Sequence, residues 1–313
     1  MDAQRAHESL APYGKTIQDA VTFYLSHLET AKRAAPLRAA IDELIANRRD
    51  AGASEVYCYD LQLRLGKFSR NFVGRTTAEI STADIDAWLA GLGVGPVTRN
   101  TYRRDLRTLF SFCMTRNYCS TNPAAQSRRA KEVGPPVGIL RADELARLLE
   151  NGLPPVVPYI AIGAFAGLRA AEIERLNWNE IDLASGLIEV TAKNSKTAKR
   201  RLVKILPNLS AWLQLTAKPR GPVAPRNLRA MLLESRKRAG IESWPSNALR
   251  HSYASNHIAH FNDAAALALE LGHTHTGVIF EHYRQVVKPS EAARYWQIKP
   301  LNRESKIVRF SGR

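Results

Sequence analysis

The stretch Asn247-Ala248-Leu249-Arg250-His251-Ser252 is followed along the chain by Leu271-Gly272-His273 and then by Phe280-Glu281-His282-Tyr283-Arg284. These segments concentrate arginine, histidine and tyrosine in a region whose apolar residues have helical spacing. Cationic side chains can hold the charge of a phosphodiester, and a hydroxyl group can attack its phosphorus. The tyrosine is either a nucleophile or a packing residue, and we interpret the region as a candidate phosphodiester site.

The composition is that of a globular protein with an unusual charge. Of the 313 residues, 45% are hydrophobic and 24% are charged, and the chain is long enough for two domains with separate cores. Its formal net charge is +16. An excess of this size favours a polyanionic partner, with nucleic acid the commonest, over the alternative of a soluble protein whose surface is simply basic.

Cysteine usage and the apolar pattern indicate a cytoplasmic protein. Cys58, Cys113 and Cys119 form no CxxC pair and are odd in number, which argues against a disulfide framework and fits a reducing compartment. The opening residues lack the apolar stretch of a signal peptide, and no run approaches the roughly 20 apolar residues of a membrane helix. We therefore expect a soluble protein without a membrane partner.

The first half of the chain has the periodicity of helices. Apolar residues recur at three- and four-residue steps within 16–46, 56–68 and 84–89, and again within 98–110. The last of these helices carries arginines beside its apolar stripe. Such a face suits phosphate contacts along a duplex, with an ordinary solvated face as the alternative. The predicted DNA-contacting arginines are Arg99, Arg103, Arg104 and Arg107.

The second half combines helices with one hairpin. A basic stretch at 127–138 with two prolines indicates a linker between the halves. Arg169 stands at the start of a helix, where backbone amides and the helix dipole favour an anion. Strands are predicted at 187–191 and 201–205, with a strongly basic turn between them. Helices return after residue 207.

Five motifs stand in one order along this half. They are Ala166-Gly167-Leu168-Arg169-Ala170-Ala171-Glu172-Ile173, the lysine hairpin, Ala248-Leu249-Arg250-His251-Ser252, Leu271-Gly272-His273 and a tyrosine. In order, spacing and local structure the set resembles the tyrosine recombinase (phage integrase) family. The resemblance implies a mainly α-helical fold with a small β-sheet or hairpin in the C-terminal domain. The implied parts are an N-terminal helical extension (1–53), a helical, SAM-like core-binding domain (54–126), the basic linker (127–138), a mixed α/β catalytic domain (139–300) and a flexible basic tail (301–313).

The resemblance also implies a chemistry without metal, ATP or another cofactor. Arg169 and Arg250 would clamp the non-bridging oxygens of the scissile phosphate, and His273 would hydrogen-bond at the same phosphate. Tyr283 would attack the phosphorus and keep the 3′ phosphate as a covalent ester. Lys196 would protonate the departing 5′ oxygen as the general acid.

Two assignments leave alternatives open. Lys193 and Lys199 lie close to Lys196 on the basic turn, so Lys193 is an alternative general acid, and both are expected to contact DNA. Arg169 could instead form a structural ion pair with Glu172 or Asp182.

Three histidines in one helical segment suggest either a metal site or helix packing, and we interpret them as packing residues. No carboxylate or cysteine completes a ligand set for them, so we expect them to line helix contacts. They are His251, His257 and His260.

Two positions depart from the family pattern. Asn247 stands where the family usually has the first residue of His-x-x-Arg; it can hydrogen-bond a phosphate oxygen, so we count it among the DNA contacts, but it cannot take a proton from tyrosine. Tyr283 lies ten residues after His273 instead of the usual nine, and the family's Tyr-x-His-Tyr pattern aligns Phe280 with the nucleophile. We predict Tyr283 as the nucleophile.

The predicted function is that of a site-specific DNA recombinase or integrase of a bacterium, phage or mobile element. Its expected partners are double-stranded DNA and copies of the chain, which would form a homo-tetramer on paired sites and a monomer or weakly self-associating species without DNA. The expected location is the cytoplasm, in association with the nucleoid. One alternative is a DNA-binding protein on the same fold that cannot cut. Another is a type IB topoisomerase, which shares the chemistry but is disfavoured by the two-domain size and the linker.

Overall fold

The computed structural model describes residues 2–132, 137–191, 200–272, 276–277, 279, 283 and 287–301. The chain forms two compact units, Met1–Gly134 and Pro135–Arg313, and each has a buried core of its own. The finer five-part division stays a prediction. Among the described residues, no helix is both long enough and apolar enough to cross a membrane.

Local signals start the helices of the first unit. Ser54 caps one helix by accepting a hydrogen bond from the Tyr57 amide, Ser81 and Asp84 form a capping box at another, and Pro96 opens the longest. The helices are α1 (Asp2–Leu10), α2 (Ile17–Arg33), α3 (Leu37–Asp50), α4 (Glu55–Ser69), α5 (Thr82–Gly91) and α6 (Pro96–Thr115).

Helices α3, α4 and α6 share the core of this unit. Leu44 of α3, Phe68 of α4 and Phe110 of α6 are fully buried in it. Burying a side chain of this size contributes about 1.5–3 kcal/mol. Helix α3 lies in the predicted N-terminal extension, yet it packs in the same core as the helices of the predicted core-binding domain.

Helices and one small sheet make up the second unit, so the predicted fold class is confirmed. The three strands are antiparallel in the order β1-β2-β3, and Ile188 pairs with Val203. Both side chains are fully buried against the helices. The elements are α7 (Ala142–Asn151), α8 (Val157–Phe165), α9 (Ala170–Arg175), β1 (Ile181–Asp182), β2 (Leu187–Val190), β3 (Arg201–Lys204), α10 (Pro207–Gln214), α11 (Leu228–Arg238), α12 (Ala248–Phe261), α13 (Ala264–Leu271) and α14 (Pro289–Trp296).

Helix α8 organises the second core and sets the position of the site. All of its residues are buried. Helix α12 approaches it so closely that a Cβ atom at Gly163 would lie 2.9 Å from Leu249. Just after α8, Gly167 has a φ of 65°, a conformation that glycine adopts without steric cost. This turn leads directly to Arg169 at the start of α9.

Candidate active site

A carboxylate holds Arg169 at the start of α9. The Arg169 amide donates to Glu172 Oε2 at 2.9 Å, and its Nη1 donates to Glu172 Oε1 at 3.1 Å. The ion pair that the sequence left as an alternative is therefore present. The contact does not enclose Arg169 completely, because 23% of its side chain is exposed.

A second arginine, Arg201 on β3, pairs with the same carboxylate. Its Nη1 and Nη2 donate to the two Glu172 oxygens at 3.1 and 2.7 Å, and its Nε donates to the Glu270 carbonyl oxygen at 2.8 Å. Burial raises the pKa of Glu172, but hydrogen bonds from the Arg201 side chain and the Arg169 amide outweigh it, so the pKa falls below the ordinary value of 4.5. Glu172 is therefore a buried, ionised anchor.

Backbone oxygens hold Arg250 in the first turn of α12. Its Nη1 donates to the Gly167 carbonyl at 2.6 Å and its Nη2 to the Leu271 carbonyl at 2.8 Å. Arg250 thus joins the turn before Arg169 to the end of α13. Burial, followed by the nearby charge of Arg169, lowers the pKa of Arg250 to about 10, so the side chain stays protonated at neutral pH.

These contacts gather three guanidinium groups around one carboxylate. The charges of Arg169, Glu172 and Arg201 all act on the pKa of Arg250, so the four groups lie close together. Three positive charges and one negative charge leave the group with a formal charge of +2. Such a group attracts an anion, and the planar fork of a guanidinium matches the oxygens of a phosphate.

Tyr283 brings its hydroxyl to the same place. The residue is only 4% exposed and belongs to a small core with Tyr253 and Ile279. Burial raises the pKa of Tyr283, while the positive charges of Arg250 and Arg169 act in the opposite direction. The structure therefore brings the predicted nucleophile together with both predicted phosphate-binding arginines.

His251 contacts the hydroxyl of Tyr283. Its Nδ1 lies 2.9 Å from Tyr283 Oη, and the ring centroids are 5.6 Å apart. The helix-packing role predicted for His251 does not describe its whole surroundings, because its half-buried ring also lies against the hydroxyl of the predicted nucleophile. The available signal was its place directly after Arg250, in the same helical turn as a phosphate-binding residue.

The other two histidines of α12 pack against aromatic rings, as predicted. The ring of His257 lies 4.8 Å from that of Phe261, and the ring of His260 lies 6.3 Å from that of Trp296. Burial lowers the pKa of His257 to about 4. Within the described part of the chain, no three His, Cys, Asp or Glu side chains are grouped so that they could hold a metal ion.

Asn247 precedes α12 in a left-handed backbone conformation, with φ 55° and ψ 26°. Asparagine is one of the few residues that adopt this conformation readily. Its side chain makes no hydrogen bond that caps the helix, and the residue lines a cavity of about 90 Å³ with Trp244 and Arg250. Asn247 therefore stands beside the arginine that is predicted to hold the phosphate.

Several predicted residues lie outside the described residues, and their roles stay predictions. Strands β2 and β3, which flank the three lysines, and Gly272, which precedes the histidine, are described. The residues concerned are Lys193, Lys196, Lys199, His273 and Phe280.

The arginines of α6 in the first unit differ in their surroundings. Arg103 donates its Nε to the Ser127 carbonyl at 2.8 Å and to Ser127 Oγ at 2.9 Å, so it holds the segment that follows α6. Arg99 is half-buried, whereas Arg104 and Arg107 are exposed. Arg104 and Arg107 are the members of the predicted face that are best placed for phosphate contacts.

Known proteins resemble this chain in sequence. Residues 140–289 match the model of the phage integrase family. The tyrosine recombinase XerC of Xanthomonas axonopodis pv. citri (strain 306) is 26% identical over 275 residues, which cover 78% of this chain and 88% of that protein. The tyrosine recombinase XerC of Xylella fastidiosa (strain 9a5c) is 24% identical over 255 residues, which cover 74% of this chain and 81% of that protein.

Solved structures with the same fold include three integrase complexes. A lambda integrase dimer bound to a COC′ core site has a TM-score of 0.65 at 17% identity and covers 80% of this chain and 97% of that one. A lambda integrase tetramer bound to a Holliday junction has a TM-score of 0.65 at 17% identity, with coverages of 84% and 86%. The Tn1549 transposon integrase with circular intermediate DNA has a TM-score of 0.59 at 16% identity, with coverages of 81% and 98%.

The fold is that of a two-domain tyrosine recombinase. The chain carries a phage integrase family domain over residues 140–289, as the motifs in that region predicted.

Proposed function

We propose that the chain is a site-specific DNA recombinase or integrase that cleaves and rejoins DNA strands through a covalent 3′-phosphotyrosyl intermediate. The observation that carries the proposal is the buried Tyr283 hydroxyl in the field of Arg250 and Arg169. A tyrosine next to two fixed cations is suited to attack a phosphodiester, because the cations hold the phosphate where the hydroxyl can reach it. The names of the similar proteins, which are tyrosine recombinases and integrases, support the same function.

The arginines act on the charge that develops during attack. As the phosphorus becomes five-coordinate, negative charge grows on its non-bridging oxygens, and Arg169 and Arg250 stabilise it. Tyr283 Oη forms a bond to phosphorus while the bond to the 5′ oxygen breaks. The 3′ phosphate remains on the tyrosine as an ester. A 5′ hydroxyl from another strand can then reverse the step, so neither a metal nor ATP is needed.

The basic turn between β2 and β3 supplies the proposed general acid. Lys196 protonates the departing 5′ oxygen, with Lys193 as the alternative, and Lys193 and Lys199 contact DNA. Support comes from Arg201, the first residue of β3, which binds Glu172 at the site. The chain therefore returns to the site directly after these lysines.

Two further residues complete the proposed phosphate contacts of the site. His273 hydrogen-bonds the scissile phosphate, because it follows directly after the Leu271 carbonyl that holds Arg250 and the Gly272 turn. Asn247 donates to a neighbouring phosphate oxygen through its side-chain amide.

The proposed partners are double-stranded DNA and further copies of the chain. The formal net charge of +16 supports a polyanionic partner. The similar solved structures contain an integrase dimer on DNA and a tetramer on a Holliday junction, which supports a homo-tetramer on paired sites. We place the protein in the cytoplasm, associated with the nucleoid, as a monomer or weakly self-associating species when DNA is absent.

A second candidate is a DNA-binding protein on the same fold that cannot cut. Asn247 favours it, since asparagine has no basic atom with which to take a proton from the nucleophile. The two candidates differ in one observable, because only the recombinase forms a covalent link to DNA.

Covalent trapping tests the choice. Randomised duplexes are enriched by binding to the full chain and then nicked near each candidate cleavage position, so that the released fragment diffuses away and rejoining is prevented. A protein–DNA adduct that survives SDS and is absent in Tyr283→Phe supports the recombinase. Tight binding of the enriched DNA without an adduct at any nick position supports the non-cutting protein and refutes the proposal. Relaxation of a supercoiled plasmid without site preference would instead indicate a type IB topoisomerase.

A further inference from the structure

We infer that His251 is the general base of strand cleavage, and that its Nδ1 takes the proton of the Tyr283 hydroxyl as the oxygen attacks phosphorus. The inference rests on the proposed function and adds to it a residue that the sequence motifs left without a chemical role. It also accounts for how a chain with asparagine at position 247 can activate its tyrosine.

The geometry is that of a direct hydrogen bond. The 2.9 Å between His251 Nδ1 and Tyr283 Oη is within the range from which a general base acts. The ring centroids are 5.6 Å apart with 41° between the planes, so the close approach is made by the two polar atoms and not by stacked rings. When Nε2 carries the imidazole hydrogen, Nδ1 presents its lone pair to the hydroxyl.

The chemistry of the neighbouring groups makes an imidazole the suitable acceptor. A phenol ordinarily has a pKa near 10, and burial raises the pKa of Tyr283 further, so at neutral pH the hydroxyl must lose its proton during attack. Arg250 and Arg169 are protonated and cannot accept it. Asn247 offers an amide, which is not basic. The ring nitrogen of a neutral imidazole is basic and can accept it.

The helix fixes the base relative to the phosphate-binding group. His251 follows Arg250 in the first turn of α12, where its amide donates to the Asn247 carbonyl at 2.9 Å. The Arg250 side chain extends to the Gly167 carbonyl while the His251 side chain extends to Tyr283. The start of one rigid helix thus carries both a phosphate-binding residue, Arg250, and a proton acceptor, His251. A phosphate bound by Arg250 therefore lies next to the Tyr283 hydroxyl that His251 contacts.

The step balances in protons and bonds. The bond between Tyr283 Oη and phosphorus forms, the bond between phosphorus and the 5′ oxygen breaks, and the tyrosine proton moves to His251 Nδ1. The 5′ oxygen receives its proton from the general acid, proposed as Lys196. In rejoining, an incoming 5′ hydroxyl attacks the phosphotyrosine, the general acid takes that proton back, and His251 returns its proton to Tyr283.

Two substitutions separate proton transfer from positioning. His251→Ala removes the contact, whereas His251→Asn keeps a hydrogen-bonding side chain that has no basic atom. The rate at which the covalent protein–DNA adduct forms on the nicked duplex is measured for both variants. We expect both to slow it by about 100-fold or more, the size of a general-base contribution. The matched control is His260→Ala, an exposed histidine on the same helix, for which we expect the unaltered rate. Melting curves and DNA binding establish that each variant is folded.

A substrate with a sulfur in place of the bridging 5′ oxygen distinguishes loss of the general base from loss of the general acid. A thiolate leaves without protonation, so it restores cleavage to variants that lack the general acid, and we expect it to rescue Lys196→Ala but not His251→Ala. Rescue of His251→Ala, or a rate within about threefold of the unaltered chain in either folded His251 variant, would overturn the inference while the proposed recombinase stands. Absence of any adduct from the unaltered chain would overturn the proposed function itself, and the inference with it.

Discussion

Replacing Arg201 by methionine tests how the site is held together. The change removes a positive charge and two hydrogen bonds from Glu172, which is 2% exposed, while a flexible apolar side chain fills much of the space. Of the two guanidinium groups described as hydrogen-bonding this carboxylate, that of Arg169 remains. The buried carboxylate would then keep one of its two ion pairs.

The magnitude follows from the cost of breaking a buried ion pair. Removing one partner of such a pair costs about 3–5 kcal/mol, because the other charge is left in a poorly solvating place. Since Arg169 still pairs with Glu172, we expect a loss near the lower end, about 3 kcal/mol in the free energy of unfolding. With a denaturant slope of about 2 kcal/mol per molar urea, the midpoint of the second unit would fall by about 1.5 M.

Urea titration followed by tryptophan fluorescence measures the effect. The first unit contributes Trp88 and the second unit contributes four tryptophans, so separate transitions can be resolved. The matched control is the double variant Arg201→Met with Glu172→Leu, which removes the buried charge as well and is expected to recover most of the loss. A cost below about 1 kcal/mol for Arg201→Met, or a double variant as unstable as the single one, would refute the reasoning.

Three other predictions follow from described contacts. Gly167→Ala places a Cβ atom against the Tyr253 ring at a positive φ, so unfolding free energy should fall by at least about 3 kcal/mol in the same titration; a smaller loss contradicts the packing. The lowered pKa of Glu172 stabilises the folded chain at pH values above its unfolded pKa near 4.5, and this stability is lost as the pH falls through the folded pKa. Glu172→Gln should therefore weaken the fall of the urea midpoint between about pH 6 and about pH 3, and an unchanged fall would contradict the prediction. Arg103→Ala should speed limited proteolysis after α6, whereas Arg104→Ala should leave proteolysis unchanged and reduce the slope of log affinity for DNA against log salt by about 0.9.

Local signals in the sequence predicted the elements of the second unit well. Strands expected at 187–191 and 201–205 are β2 and β3, and the helix expected from Ala248 is α12. Arg169 and Arg250 lie at helix starts, as their motifs indicated. These features depend on periodicity, turns and caps, all of which act over a few residues and are therefore visible in a single chain.

Contacts between distant segments could not be predicted in the same way. Arg201 and Glu172 are far apart in the chain and their side chains meet only in the folded unit, so nothing in either local pattern indicated their pairing. The contact of His251 was not predicted, because helical periodicity gives the direction of its side chain but does not show that the Tyr283 hydroxyl lies there. Arg103 was counted with a DNA-contacting face, yet the segment that returns along α6 engages it.

Arg250 is held by main-chain oxygens, and this has a consequence for how the protein can diverge. A substitution at Leu271 that leaves the backbone in place keeps that acceptor, because every residue carries a carbonyl. Gly167 is restricted for another reason, its positive φ and its contact with the Tyr253 ring. Arg169 depends instead on the carboxylate of Glu172, which a single base change can remove. The two phosphate-binding arginines therefore differ in mutational tolerance. The Leu271 acceptor of Arg250 survives a change of side chain. Arg169 keeps its orientation only if Glu172 is retained or replaced by another acceptor.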